Sequence, residues 1–189
     1  MKRLLLATIL AIAATWGMAQ STVAFAGAEP VFASESDLLR AGVLKTTKKL
    51  VSYRGEYEPG TVVIDTEKRN LYLVLEGQKA YRYRIGVGRP GFEWAGVHRV
   101  SRKKEWPGWT PPPEMRRRQP YLPHYMPGGP ENPMGARALY LGNTLYRIHG
   151  TIEPYSIGSA VSSGCIRMLN EDVIDLYERV PVGAKVIVS

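Results

Sequence analysis

The chain has 189 residues, 44% of them hydrophobic, and 25 basic residues against 17 acidic ones give a formal net charge of +8. One cysteine excludes an intramolecular disulfide, and three histidines without zinc-finger or H-E-x-x-H spacing argue against a metal centre. The basic excess comes without a helix-turn-helix, zinc-finger or RNA-binding pattern, so nucleic acid is not the expected partner.

In chain order, the first element is an export signal. Lys2 and Arg3 precede an uncharged apolar run, Leu4 to Ala14, and Ala24-Phe25-Ala26 supplies the small-x-small pattern of a cleavage site. Cleavage is expected after Ala26, with Ala19 the alternative. A membrane anchor is the competing reading, but the run is broken at Trp16-Gly17, falls short of about 20 apolar residues, and has no basic stop-transfer flank. No cysteine follows it to carry a lipid. The expected mature protein is therefore periplasmic, without a stable membrane span. Loss of residues 1–26 removes two basic and no acidic residues, leaving +6. About 160 residues suffice for one domain with a core of its own.

Residues 27–58 are weakly patterned and read as a linker or peripheral segment, with a short helix expected around Ser36 to Leu44. The domain is expected over residues 59–189. Thr61 to Asp65, Leu71 to Leu75 and the alternating Tyr81 to Ile85 have strand character, with a turn at Glu76-Gly77-Gln78. Gly96 to Ser101, Ala138 to Leu141, Leu145 to Ile148 and Lys185 to Val188 are further strands. One helix is expected after Asn170, read as its N-cap, with Glu171 and Asp172 in its first turn. Val173, Ile174, Leu176, Tyr177 and Val180 mark its apolar face, and Pro181 ends it. The fold class is mainly β with minor α, β-sandwich-like, with this helix before the last strand.

Between the strands lies an insert, Glu105 to Arg137. Nine prolines argue against a helix or central strand there, while Trp106, Trp109, Tyr121 and Tyr125 argue against plain disorder. A long structured loop of this kind is either a lid over a site, with Trp106 and Trp109 as substrate contacts, or a cover for a sheet edge.

Cys165, in the run S-S-G-C-I-R-M, is the candidate nucleophile, because an unpaired thiol in an exported protein calls for a reason. A free thiol, with a pKa of about 8.5, is mostly protonated at neutral pH. His149, at the end of L-Y-R-I-H, is the candidate base, expected to draw the thiol toward a thiolate–imidazolium pair. Gly150 lets the chain turn after it, and Gly164 lets backbone approach the nucleophile, with N–H groups near Gly164 and Cys165 facing a developing oxyanion. Arg167 shares a face with Cys165 if the segment is extended, and is placed to hold a substrate carboxylate. The duller alternatives are an inert buried cysteine, a structural histidine, and an Arg167 paired with Glu171 or Asp172.

The run I-H-G-T-x12-S-S-G-C-I-R-M-x3-D resembles the active-site signature of the L,D-transpeptidases, and the likeness covers residues 61–189. The stretches G-V-G-R-P at Gly86 to Pro90 and K-K-E-W-P-G-W-T-P-P at Lys103 to Pro112 resemble the family's exported, ErfK-like members. The resemblance implies a YkuD-type catalytic domain without cofactor. In it Cys165 attacks the diaminopimelate carbonyl of a peptidoglycan tetrapeptide stem, releases D-Ala, and passes the acyl group to an amine. That amine belongs to another stem, giving a 3→3 crosslink, or to an outer-membrane protein. It also implies that His149 is the base, that the Gly150 carbonyl orients it, and that Ser162, Ser163, Gly164 and Arg167 line the substrate. Many members carry histidine where this chain has Ser163.

Sortases separate their histidine and cysteine much more widely, and papain-like and NlpC/P60 hydrolases place cysteine first. Here His98, His124 and His149 all precede Cys165. An L,D-carboxypeptidase using water as acceptor and a non-catalytic wall-binding scaffold remain as alternatives.

Overall fold

The computed structural model describes residues 37–38 and 44–189. The export signal, and most of the helix expected around Ser36 to Leu44, lie outside the described residues; Asp37 and Leu38 are helical.

The hydrophobic runs pair as β-strands, named in chain order: β1 (Lys49–Ser52), β2 (Val62–Asp65), β3 (Asn70–Leu75), β4 (Lys79–Arg84), β5 (Val87–Gly88), β6 (Gly96–Glu105), β7 (Arg137–Leu141), β8 (Arg147–His149), β9 (Ala160–Ser162), β10 (Ile166–Arg167) and β11 (Lys185–Val188). Nine of them form one curled sheet in the order β1-β4-β3-β2-β11-β6-β7-β8-β10, and β5 pairs with β9 in a two-stranded sheet. β2, β3 and β4 form an antiparallel meander. Its second turn lies at Glu76-Gly77-Gln78, where Gly77 and Gln78 both take positive φ.

The long strand β6 joins the two halves of the sheet. Its start pairs with β11 and its end with β7, with a register shift between Val100 and Arg102. A bulge bends a strand and sharpens its twist. Both halves therefore face one core, in which Val62, Leu71, Tyr83, Val100, Leu139, Ile148, Ile166 and Val186 are almost fully buried.

Two helices follow from local sequence. The longer, α2 (Asn170–Arg179), buries Val173 and Leu176, and Val180 beyond its end is buried too. Asn170 is not its N-cap. Leu169 occupies that position without a side-chain bond, and Asn170 Oδ1 instead accepts the Ala136 N–H at 3.0 Å. A Cβ on Gly135 or Gly150 would stand 2.3 or 2.2 Å from that oxygen. Asn170 thus ties the helix start to the backbone just before β7, with Gly150 after β8 packed closely against it.

The second helix corrects an expectation. α1 (Pro113–Arg118) lies inside the proline-rich insert. Proline is compatible with the first helical turn, where its missing N–H costs nothing, and residues 114–119 contain no further proline. The rest of the insert is organised by backbone bonds between Trp109 and Met126 in both directions, and by buried Asn132, whose side chain reaches the carbonyls of Met126 and Pro127 and the N–H of Met134.

The segment from Leu44, expected to be peripheral, adds β1 to the sheet edge beside β4. Just before it, Thr46 Oγ1, Thr47 Oγ1 and Thr47 N–H all donate to the buried carboxylate of Asp172, at 2.5, 2.6 and 3.0 Å. Lys48 reaches Asp175, which also accepts from Tyr83 and Arg179. Burial opposes charge on Asp175, but bonds from Arg179, Lys48 and Tyr83 outweigh it and hold the carboxyl well below its usual range.

Candidate active site

β8 and β10 run parallel, with Ile148 opposite Ile166 and His149 opposite Arg167. Side chains alternate along a strand, so the two isoleucines enter the core while Arg147, His149, Cys165 and Arg167 share the other face. A cavity of about 760 Å³ opens on that face, lined by His149, Cys165, Arg147, Arg167, Ser162, Ser163, Trp109 and the Pro111–Pro113 turn among others.

Cys165 follows a tight turn. Ser162 Oγ accepts the Gly164 N–H at 3.1 Å and donates to the Cys165 carbonyl at 2.6 Å. The Gly164 N–H is therefore engaged within the turn and does not face the cavity as expected. Gly164 has φ of +101°, and a Cβ there would meet a Tyr146 ring carbon at 2.8 Å. Tyr146 stacks on Trp94 with ring centroids 4.0 Å apart, and Trp94 Nε1 donates to the Gly164 carbonyl at 2.6 Å. The thiol of Cys165 donates to the Leu145 carbonyl at 3.8 Å.

His149 is buried, with Nδ1 2.6 Å from the Gly150 carbonyl. This contact assigns the proton to Nδ1 and leaves Nε2 as the acceptor. Burial, then the Arg167 and Arg147 charges, lower the imidazole to about 4 against the pull of the Gly150 and Met134 carbonyls. Burial pushes the Cys165 thiol up, although Arg147 and Arg167 favour its thiolate. Both groups line the one cavity, and both shifts favour the neutral thiol and the neutral imidazole over the thiolate–imidazolium pair expected from the sequence. The physical reason is desolvation, which penalises both charged forms and which a residue pattern does not display.

Arg167 Nη1 pairs with Glu153 at 2.7 Å, not with Glu171 or Asp172. Its Nε makes no hydrogen bond among the described residues. Ser163 accepts from Arg89 Nη1 at 2.8 Å. Trp109 lines the cavity, but Trp106 does not, and its ring is exposed while its backbone packs against Gly128. Sequence reasoning missed Arg147, Trp94, Tyr146 and Arg89. Arg147 was accessible from its i−2 spacing to His149 on one strand; the other three come together only through tertiary contacts.

The model of the L,D-transpeptidase catalytic domain matches residues 59–188, and the chain belongs to that family. A probable L,D-transpeptidase ErfK/SrfK of Escherichia coli K12 is 44% identical over 135 residues, covering 67% of this chain and 43% of the relative, so the chain spans less than half of that relative's length. A solved structure of an L,D-transpeptidase from Mycobacterium smegmatis shares the fold at 20% identity and TM-score 0.52, covering 68% of this chain and 58% of that one. A Brucella melitensis crystal structure, named a probable carnitine operon oxidoreductase, is 45% identical with TM-score 0.52, covering 82% of this chain and all of that one.

Proposed function

We propose that this chain is an exported peptidoglycan L,D-transpeptidase acting through Cys165. The observation that carries the reading is the shared cavity face of His149, Cys165 and Arg167 on β8 and β10, with His149 held at Nδ1 by Gly150. That arrangement fits acyl transfer, and it is the reason to follow the family rather than the oxidoreductase name of the Brucella relative.

The thiol proton moves to His149 Nε2 as Sγ attacks the carbonyl carbon of the third stem residue. A preformed thiolate is unnecessary, because attack and proton transfer proceed together and Arg147 and Arg167 favour the charge as it develops. The Cys165 N–H is the backbone donor for the oxyanion, since that of Gly164 is engaged by Ser162. Collapse breaks the C–N bond. The imidazolium returns its proton to the leaving D-Ala amine, and a thioester remains. An acceptor amine then attacks the thioester, gives a proton to His149, and the thiol is re-formed as the new amide leaves. Arg167 and Trp109 hold the peptide, and Ser162 and Gly164 fix the nucleophile turn. The acceptor is another stem or an outer-membrane protein.

Incubation with a carbapenem tests this reading by mass spectrometry. One covalent adduct is expected on Cys165, absent in Cys165→Ala. A folded wild-type protein that acquires none would instead favour a wall-binding scaffold.

A further inference from the structure

Beside the catalytic cavity lies a second lobe of about 400 Å³. The two share Trp109, Met115, Arg118, Pro133, Ser163 and Arg167, so they form one continuous cleft. The second lobe lacks Cys165 and His149 and is lined instead by three guanidinium groups: Arg89, Arg118 and Arg167. Its one acidic lining residue, Glu153, is committed to Arg167 at 2.7 Å. Arg89 and Arg118 have no carboxylate partner among the described residues.

Arg89 is held in place without being neutralised. Nη1 donates to Ser163 Oγ at 2.8 Å and to the Ser162 carbonyl at 3.2 Å, and the guanidinium lies 3.9 Å from the centroid of the Phe92 ring. Hydroxyl, carbonyl and ring fix its position but leave its charge unmatched. Serine at 163 supplies that acceptor while occupying little of the lobe. Arg118, from the last turn of α1, reaches the lobe from the insert. A planar, half-buried guanidinium that lines one lobe together with a second, exposed one is suited to hold a carboxylate.

We propose that Arg89, positioned by Ser163 and assisted by Arg118, forms a subsite for a free carboxylate of the wall peptide next to the reacting carbonyl. The proposal rests on the transpeptidase reading for its ligand but on the lobe's own geometry for its chemistry. The carboxylate comes from either the donor stem or the acceptor. In both cases Arg89 selects peptides whose side-chain carboxyl is free over those in which it is an amide, since an amide offers no charge to two unmatched cations.

Calorimetry on Cys165→Ala protein tests the subsite without turnover. The probes are a tetrapeptide stem with a free side-chain carboxylate and the same stem amidated there. The free form is expected to bind about tenfold tighter or more, with the preference shrinking to within about twofold in Arg89→Met and weakening in Ser163→Ala. Arg102→Met, outside both lobes, keeps the preference. Equal binding of the free and amidated forms both as donor stems and as amine acceptors, or a preference that survives Arg89→Met, overturns the proposal. If the preference holds only when an amine acceptor rather than a donor stem carries the carboxylate, the subsite serves the acceptor. D-Ala release by the intact protein is measured separately. Its absence with the preference retained removes the transpeptidase reading and leaves the subsite standing.

Discussion

At the residue scale, the site turns on Ser162, Gly164, Cys165 and His149. Ser162 closes the turn with two bonds, and Gly164 is the residue whose absent side chain lets Tyr146 pack against it. The charge state of the pair sets its pH behaviour. A raised thiol pKa means less thiolate at any given pH, so the alkylation rate of Cys165 should titrate above the ordinary thiol value of about 8.5. Arg147→Met should move that midpoint higher still, because it removes a cation that favours the thiolate. A wild-type midpoint below the free-thiol value would contradict the neutral pair. A lowered imidazole pKa means that His149 stays unprotonated and able to act as base as pH falls to about 4. Its protonation therefore sets no acid limb between pH 7 and 5.

At the element scale, the parallel β8–β10 pair carries the face with His149 and Arg167, Asn170 ties the start of α2 to the backbone before β7, and residues of the insert line part of the cavity. The two tryptophans expected to act together are separated by the structure: Trp109 faces the cavity, and Trp106 is exposed outside it. Trp109→Ala should raise the KM for stem peptide severalfold, whereas Trp106→Ala should leave KM unchanged; matched effects would make the insert a cover only. A second element-scale prediction concerns the clasp between Thr46-Thr47 and the start of α2. Asp172→Ala leaves the Thr47 N–H and hydroxyl without their acceptor and should lower stability by about 2–4 kcal/mol in denaturant titration. Activity per folded molecule should persist, and unchanged stability would contradict the clasp.

These elements also show where sequence was informative. The alternation of Tyr81 to Ile85 and the apolar face of α2 announce themselves, because each pattern reflects burial along one element. Strand β1 does not: Lys49–Ser52 is short, largely exposed, and held by its neighbour's backbone rather than by a buried face. The six-residue α1 was hidden by prolines that the first helical turn accommodates. Asn170 has the chemistry of a cap but is drawn away by the unpaired Ala136 N–H, a contact 34 residues distant in sequence.

At the scale of the whole molecule, one curled sheet bent at β6 brings β8, β10 and the β5–β9 pair around a single cleft. Residues 86–90, conspicuous in sequence only as a resemblance, acquire a physical place there, because Arg89 donates to the Ser162 carbonyl and the Ser163 hydroxyl. Part of the basic excess is likewise structural. Lys103 donates to the Tyr177 carbonyl and lies over its ring, and Arg102 covers Tyr140. These cations pack on aromatic faces and are not simply a solvated patch.

The central claim is that this cleft performs acyl transfer through Cys165 with His149 as base. Its most direct test is incubation of the mature protein with a purified tetrapeptide stem, following free D-Ala together with the intact protein mass. The account predicts D-Ala release with a thioester-linked tripeptide on wild-type protein, neither in Cys165→Ala, and release slowed by at least about 100-fold in His149→Ala. Folded wild-type protein that releases no D-Ala and carries no acyl group, or a His149→Ala variant that turns over at the wild-type rate, would contradict it.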